Sequence, residues 1–316
     1  MRVLITGAGG FIGKALVRRL ATEGCTDIVA ASRSAAIDGC PQVSWLRVGD
    51  LARGLDWMPA LAGIDVVVHL AGRAHVLKET ARDPEGEFHS VNLQATRALA
   101  EQCVMARVRR MVLVSSIGVH GDRSLPGEPM RPDSPFAPRD AYARSKLAGE
   151  RAAAEVAARG SLEITIVRPP LVYGPRAPGN FGRLVRLVGS GIPLPFGAIV
   201  NSRSFVSLDN LADFLCRCAF DSRAANRSFV VSDGEDLSTP ELLREISAGL
   251  GRSPRLLAVP KAAVACALRV TCGEAFAQRL CGTLQVDPTD SMITLGWRPP
   301  VGARHAIREA AAETAH

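Results

Sequence analysis

Val3-Leu-Ile-Thr6, followed at once by Gly7-Ala-Gly9-Gly10-Phe-Ile-Gly13, decides the fold of this 316-residue chain. The first four residues form a short apolar run that reads as a buried strand. Residues 11–23 then repeat apolar positions at helical spacing. Glycines between a strand and a helix permit a tight turn and let an anion approach backbone N–H groups at the positive end of the helix. Such a pattern alone also arises for steric reasons. Its place at the first strand-to-helix turn makes a pyrophosphate-binding loop the expectation, with Gly7, Gly10, Phe11, Ile12 and Gly13 as cofactor contacts.

Outward from this turn the alternation continues. Ile28–Ser32, Val43–Val48, Val66–Leu70 and Met111–Ser115 read as further strands separated by helical patterns. Fully apolar strands alternating with helices predict a parallel sheet covered on both faces. Residues 141–159 read as a long helix closed by Gly160, followed by a strand at Leu162–Val167. From Pro169 the texture changes: prolines and glycines crowd 169–197, residues 203–234 regain sheet-and-helix character, and 239–316 are mostly helical with an irregular tail. The expected organisation is a nucleotide-binding domain of 1–168 plus 204–234, and a smaller domain of 169–203 plus 235–316.

Composition narrows the partners. With 47% hydrophobic and 22% charged residues the chain is an ordinary globular one, not a disordered one. The net charge of +7 is nearly all arginine, since the only lysines are Lys14, Lys78, Lys146 and Lys261. The arginines are scattered, without runs or interleaved aromatics, which speaks against nucleic acid and for an anionic small molecule. Eight cysteines (25, 40, 103, 216, 218, 266, 272 and 281) lack metal-ligand spacing, so no metal site is expected. Cys216 and Cys218 lie two apart in a helical pattern and should occupy different faces. With no secretory segment, reduced buried thiols in a cytoplasmic protein are the expectation. The apolar stretch 256–272 is interrupted by Pro260, Lys261 and Arg269, which excludes a transmembrane span but leaves a peripheral membrane helix open.

Three strand ends carry chemistry. Ser32-Arg33 closes the second strand, where an acidic residue would bind a ribose 2′-hydroxyl; an arginine there instead suits a 2′-phosphate, favouring NADP (as NADPH) with NAD second. Asp50-Leu51 follows the third strand; Asp50 either accepts from an adenine amine or initiates a turn. Leu70-Ala71-Gly72 ends the fourth, where small residues admit a cofactor. The most informative stretch is Tyr142-Ala-Arg-Ser-Lys146. A spacing of four puts phenol and ammonium on one helix face, and a close lysine stabilises a phenolate, making the tyrosine an acid–base catalyst. The chain has only two tyrosines, and this one is preceded by Ser115-Ser116 at a strand end.

Taken in order, GxxGxxG at 7–13, GDL at 49–51, LAG at 70–72, Asn92, SSIGVHG at 115–121, YxxxK at 142–146 and RPPLVYGP at 168–175 resemble the extended short-chain dehydrogenase/reductase superfamily. The resemblance implies an α/β fold: a Rossmann doubly wound parallel sheet with a smaller C-terminal substrate-binding domain. It implies that Ser116 polarises the reacting oxygen, Tyr142 is the general acid/base, and Lys146 also grips the nicotinamide ribose. Asn92 would support the lysine or a nearby water, and Pro170 would border the cofactor. The later segments are similar to the nucleotide-sugar branch. Asn180 falls at a nucleotide contact, Arg203 matches a diphosphate-gripping arginine, and Arg279 aligns more loosely as a second clamp on a UDP-sugar. The branch also implies a homodimer.

Departures from the pattern sort the activities. Ile117-Gly118 stand where dehydratases carry an Asp-Glu pair. His120 replaces the tyrosine of typical 4-epimerases, and Leu171 replaces their asparagine. Residues 191–211 and 229–239 look most like bacterial reductases of UDP-linked 4-keto-6-deoxy-N-acetylhexosamines, which serve lipopolysaccharide O-antigen and other surface-polysaccharide pathways. The expectation is therefore a UDP-sugar 4-ketoreductase, with a UDP-hexose 4-epimerase holding NAD as the alternative. A silent dinucleotide-binding scaffold is disfavoured because both Tyr142 and Lys146 are present.

Overall fold

The structure, a computed structural model, describes residues 1–25, 27–33, 42–74, 83–125 and 127–315. Cys40 and Lys78 lie outside them. Seven parallel strands form the main sheet: β1 (Val3–Thr6), β2 (Ile28–Ser32), β3 (Val43–Arg47), β4 (Val66–His69), β5 (Arg110–Val114), β6 (Glu163–Arg168) and β9 (Arg227–Val230). Their order is β3-β2-β1-β4-β5-β6-β9. The order reverses between β2-β1 and β1-β4, which is the doubly wound Rossmann arrangement and opens a crevice at the C-terminal ends of β1 and β4. A separate parallel pair joins β7 (Leu171–Tyr173) to β8 (Phe205–Ser207).

Helices cover both faces because the strands are apolar on both. One face takes α1 (Phe11–Thr22) and α7 (Leu208–Phe220). Their apolar stripes, including Leu16, Leu20, Leu211 and Phe214, join Val3, Ile5, Val66 and Val112 in one core. On the other face, α2 (Met58–Leu61), α4 (Ala95–Met105) and α5 (Ala141–Ala158) meet Leu4, Val67, Met111 and Ile164. The short α3 (Pro84–His89) runs into a π-helical turn at Ser90–Gln94 before α4.

A third core gathers Tyr173, Phe181, Phe205, Leu243, Leu280 and Ile307. It is built from α6 (Asn180–Gly189), α8 (Thr239–Gly249), α9 (Lys261–Cys272), α10 (Glu274–Cys281) and α12 (Ala303–Ala315). Helix α11 (Thr289–Leu295) and Trp297 return instead to the sheet, where Trp297 packs edge-on against Phe214 at 4.9 Å.

One local expectation is corrected. The tail is not irregular: Ala303, Ile307, Ala310 and Ala311 fall on one stripe of α12 and are buried, so the stripe is secured by α8 and α6. Cys216 and Cys218, two apart on α7, are both buried as free thiols, since α7 is enclosed by sheet, α1 and the Trp297 loop on more than one face.

Candidate active site

Because the strands are parallel, their C-terminal ends bring the glycine turn, Leu70–Gly72, Ser115–Ser116 and Pro170 to one edge. Gly7 has φ +70°, and a Cβ on it would lie 2.7 Å from the Ala71 amide nitrogen. At Gly13 a Cβ would lie 2.3 Å from the Gly7 oxygen. Only glycine allows the turn to press against both Ala71 and the first helical turn. Gly10 is the N-cap of α1 and no side chain among the described residues caps that helix, so the N–H groups of its first turn face the crevice. At the end of β5 the Ser115 hydroxyl is buried without a hydrogen-bond partner among the described residues. An uncapped helix end and a buried orphan hydroxyl fit a dinucleotide.

Ser32 is buried and Arg33 exposed at the end of β2. Asp50 caps a short 3-10 turn at Leu51–Arg53, its Oδ1 accepting from the Ala52 amide at 3.1 Å. Turn initiation is thus one role it fills.

Asp140 starts α5 by accepting from the Ala143 amide at 2.8 Å. This places Tyr142 half-buried in the first turn, beneath the edge of Phe88 at 6.1 Å. Ser116 caps its own turn, Oγ accepting from the Gly118 amide at 3.1 Å, and its side chain hydrogen-bonds Tyr142. Burial pushes the Tyr142 phenol up to about 12, Ser116 opposes this, and the charge of Asp140 adds to it. Lys146 is buried, and its ammonium donates to the Val114 carbonyl at 2.7 Å. Burial brings it down to about 8 against the upward pull of Glu150 one turn on. The ammonium is anchored on β5, and Ser116 favours the phenolate.

Asn92 spends its side chain elsewhere than on Lys146. Oδ1 accepts from the Arg73 amide and Nδ2 donates to the Arg73 carbonyl and to Ser145 Oγ, each at 2.9 Å. Its own carbonyl sits where a Cβ on Gly149 would lie 2.2 Å away. The π-helical turn thus ties the loop after β4 to the tyrosine helix, and π-turns frequently mark functional sites.

Two arginines face each other further out. The Arg203 guanidinium donates to the Gly282 carbonyl at 3.0 Å. It is pulled down to about 10, chiefly by burial and next by the charge of Arg279, while Asp122 opposes the shift. Asp122 follows the Ser116 turn, so that segment lies within electrostatic reach of Arg203. Sequence reasoning missed Asp122, whose only signal was its place after the SSIGVHG stretch. Asn180, half-buried, opens α6 after Gly179 at φ +84°.

His69, Glu150 and Arg168 were also missed. His69 is buried between Thr6 and Thr96 at 2.7 and 3.1 Å, and desolvation with Lys146 nearby pushes it down to about 3. Arg168 grips Glu150 with two nitrogens, Nε to Oε1 at 3.0 Å and a terminal nitrogen to Oε2 at 2.8 Å. The signal for Glu150 was the YxxxKxxxE spacing, which continues the reactive face by one turn.

Among α/β layouts, one puts an uncapped glycine turn and a helical tyrosine–lysine pair at the same sheet edge: that of the extended short-chain dehydrogenase/reductases. The comparisons agree with this class. The chain belongs to the NAD dependent epimerase/dehydratase family, whose sequence model matches residues 3–231. A UDP-glucose 4-epimerase of Vibrio cholerae is 38% identical across 98% of this chain and 94% of its own length. A ceramide reductase of Caulobacter vibrioides is 32% identical over 82% of this chain and 73% of its own. Among solved structures, MoeE5 in complex with UDP-glucose and NAD superposes with a TM-score of 0.78 at 27% identity, covering 100% of this chain and 99% of MoeE5.

Proposed function

We propose that the protein is an NADP-dependent reductase of the C4 ketone of a UDP-linked 4-keto-6-deoxy-N-acetylhexosamine, acting in the cytoplasm in surface-polysaccharide biosynthesis. The observation that carries this reading is the placing of the acid–base pair: Tyr142 in the first turn of α5 hydrogen-bonds Ser116 at the end of β5, and burial favours its protonated phenol. Ketone reduction consumes a proton at the carbonyl oxygen, whereas an epimerase must begin by taking a proton from a hydroxyl. The exposed Arg33 at the end of β2 supports a 2′-phosphate.

In this reading Ser116 donates to the ketone oxygen and Tyr142 delivers its proton there as the oxygen becomes an alcohol. Lys146, cationic below about pH 8, holds the ribose. The bound reduced nicotinamide supplies the hydride. The first-turn N–H groups of α1 hold the pyrophosphate, with Leu70–Gly72 and Pro170 beside it. Arg203, Arg279 and Asn180 hold the UDP. The sheet unit, 1–168 plus 204–234, carries the cofactor; 169–203 plus 235–316 carries the sugar nucleotide, and two chains form a dimer.

A second reading, a UDP-hexose 4-epimerase with tightly held NAD, is favoured by the named activity of the 38% identical Vibrio relative and by the NAD and UDP-glucose of MoeE5. His120 and Leu171 speak against it. One assay separates the two. With a UDP-4-keto-6-deoxy sugar the protein should consume NADPH stoichiometrically, and Arg33→Asp should shift preference toward NADH. Interconversion of UDP-glucose and UDP-galactose without added cofactor, by protein that purifies with NAD, would replace the reductase with the epimerase.

A further inference from the structure

Helix α9 has a single buried residue, Val264. Helical spacing places Ala262, Ala263, Cys266 and Val270 on the opposite side, and Val270 is 83% exposed. A helix face turned to water ordinarily carries lysine, glutamate or glutamine. The surface beside it is of the same kind. Residues 194–198 run alongside 256–260, paired at Leu194 with Leu256 and at Ala198 with Pro260. Lys261 at the start of α9 donates to the Val200 carbonyl at 3.2 Å. Around this seam Ile192, Val200 and Leu257 are 53%, 83% and 53% exposed. With Val270, further along α9, they make four of the eleven large hydrophobics exposed among the described residues.

The charge of these segments is one-sided. Residues 181–202 and 250–273 contain no Asp or Glu and carry Arg183, Arg186, Arg252, Arg255, Lys261 and Arg269, all exposed. Among the described residues only Arg269 of the six makes an ion pair, with Glu274 just past the helix at 2.7 Å. No helix among the described residues is long and apolar enough to cross a membrane. A second copy is a poor occupant, because a twofold contact would set these six cations against the same six.

We propose that this face seats the protein on an anionic lipid bilayer. Helix α9 would lie along the surface, its alanine, cysteine and valine side among the upper acyl chains and the rim of cations among the headgroup phosphates. The test is co-sedimentation of the full chain with phosphatidylglycerol–phosphatidylcholine vesicles and with pure phosphatidylcholine vesicles. Binding should need phosphatidylglycerol and weaken with salt. Arg255→Glu with Lys261→Glu should lower partitioning roughly tenfold or more, as should Leu257→Asp with Val270→Asp. Circular dichroism and UDP binding, both unchanged, would show that the variants are folded. Wild-type protein that stays in the supernatant, or variants that sediment like wild type, would overturn the proposal. So would sedimentation velocity showing a dimer that Leu257→Asp with Val270→Asp dissociates, in protein that ignores both vesicles.

Discussion

Arg203 carries a cost that an anionic ligand would offset, and replacing it should separate stability from binding. Its guanidinium is drawn down from 12.5 to about 10 by burial and by Arg279. At 1.36 kcal/mol per unit, holding the charge there costs about 3 kcal/mol. The bond to the Gly282 carbonyl returns about 1 kcal/mol of that. Arg203→Met keeps the apolar stem and removes the charge. Urea unfolding without ligand should therefore find the variant at least as stable as wild type. A diphosphate between the two arginines makes charge-assisted bonds of roughly 1.5–3 kcal/mol each. Calorimetry should then show UDP affinity falling roughly 10- to 100-fold, and UDP should raise the urea midpoint of the variant far less than that of wild type. A variant that unfolds earlier yet binds UDP like wild type would refute the reasoning, since Arg203 would then be a structural clamp on the 278–282 segment.

Three further outcomes are expected. Lys146 loses its proton near pH 8, so kcat/KM should decline above that pH; a profile flat to pH 10 would mean that its charge is not needed. His69 stays neutral down to about pH 3 while the unfolded chain takes up that proton near 6.5. Stability should thus fall by about 1.4 kcal/mol per unit as pH drops between those values. His69→Gln should lose one proton's worth of that slope in urea titrations at stepped pH, and an unchanged slope would count against it. Ile307→Ala, in the fully buried stripe of α12, should lower unfolding free energy by about 2–5 kcal/mol; a change below 1 kcal/mol would mean that α12 is weakly docked.

Strands β1 to β6 were legible to within a residue or so: all but the edge strand β3, whose Ser44 and Arg47 are exposed, are mostly apolar runs flanked by turn residues, and a strand buried on both faces needs nothing else. The glycine turn was legible for the same reason, its steric demands being local. The pattern failed where partners are distant. Helix α12 presents alanines, whose small apolar contrast hides a stripe until α8 is seen to fill the space against it. The π-helical turn at Ser90–Gln94 follows from the Asn92 carbonyl meeting Gly149, more than fifty residues away. The pairing of Tyr142 and Lys146 was visible as spacing, but the acceptor that holds the ammonium is a β5 carbonyl, so the electrostatics were not.

The departure at His120 gains a physical reading from the structure. Its imidazole stacks on Phe136 at 5.2 Å with planes 13° apart, and one ring nitrogen lies 3.0 Å from an Arg168 nitrogen. Burial and the charge of Arg168 keep its pKa low, so a neutral ring accepts from the guanidinium. Arg168 also lies over Phe136 at 5.1 Å and is closed by the Pro132 carbonyl at 2.7 Å. A histidine so engaged is part of the wall behind the site, and its ring is committed to Arg168 and Phe136. That wall has a function of its own. Arg168 ends β6, Glu150 is one turn past Lys146 on α5, and their two-pronged, fully desolvated pair fixes the helix against the sheet. Breaking such a pair by removing one partner is costly because the other charge stays buried. The tyrosine–lysine helix is therefore held at both ends of its reactive face, by Asp140 at its cap and by Arg168 behind Glu150. The position of Lys146 under the Val114 carbonyl follows from that clamping, with helical spacing supplying only the face.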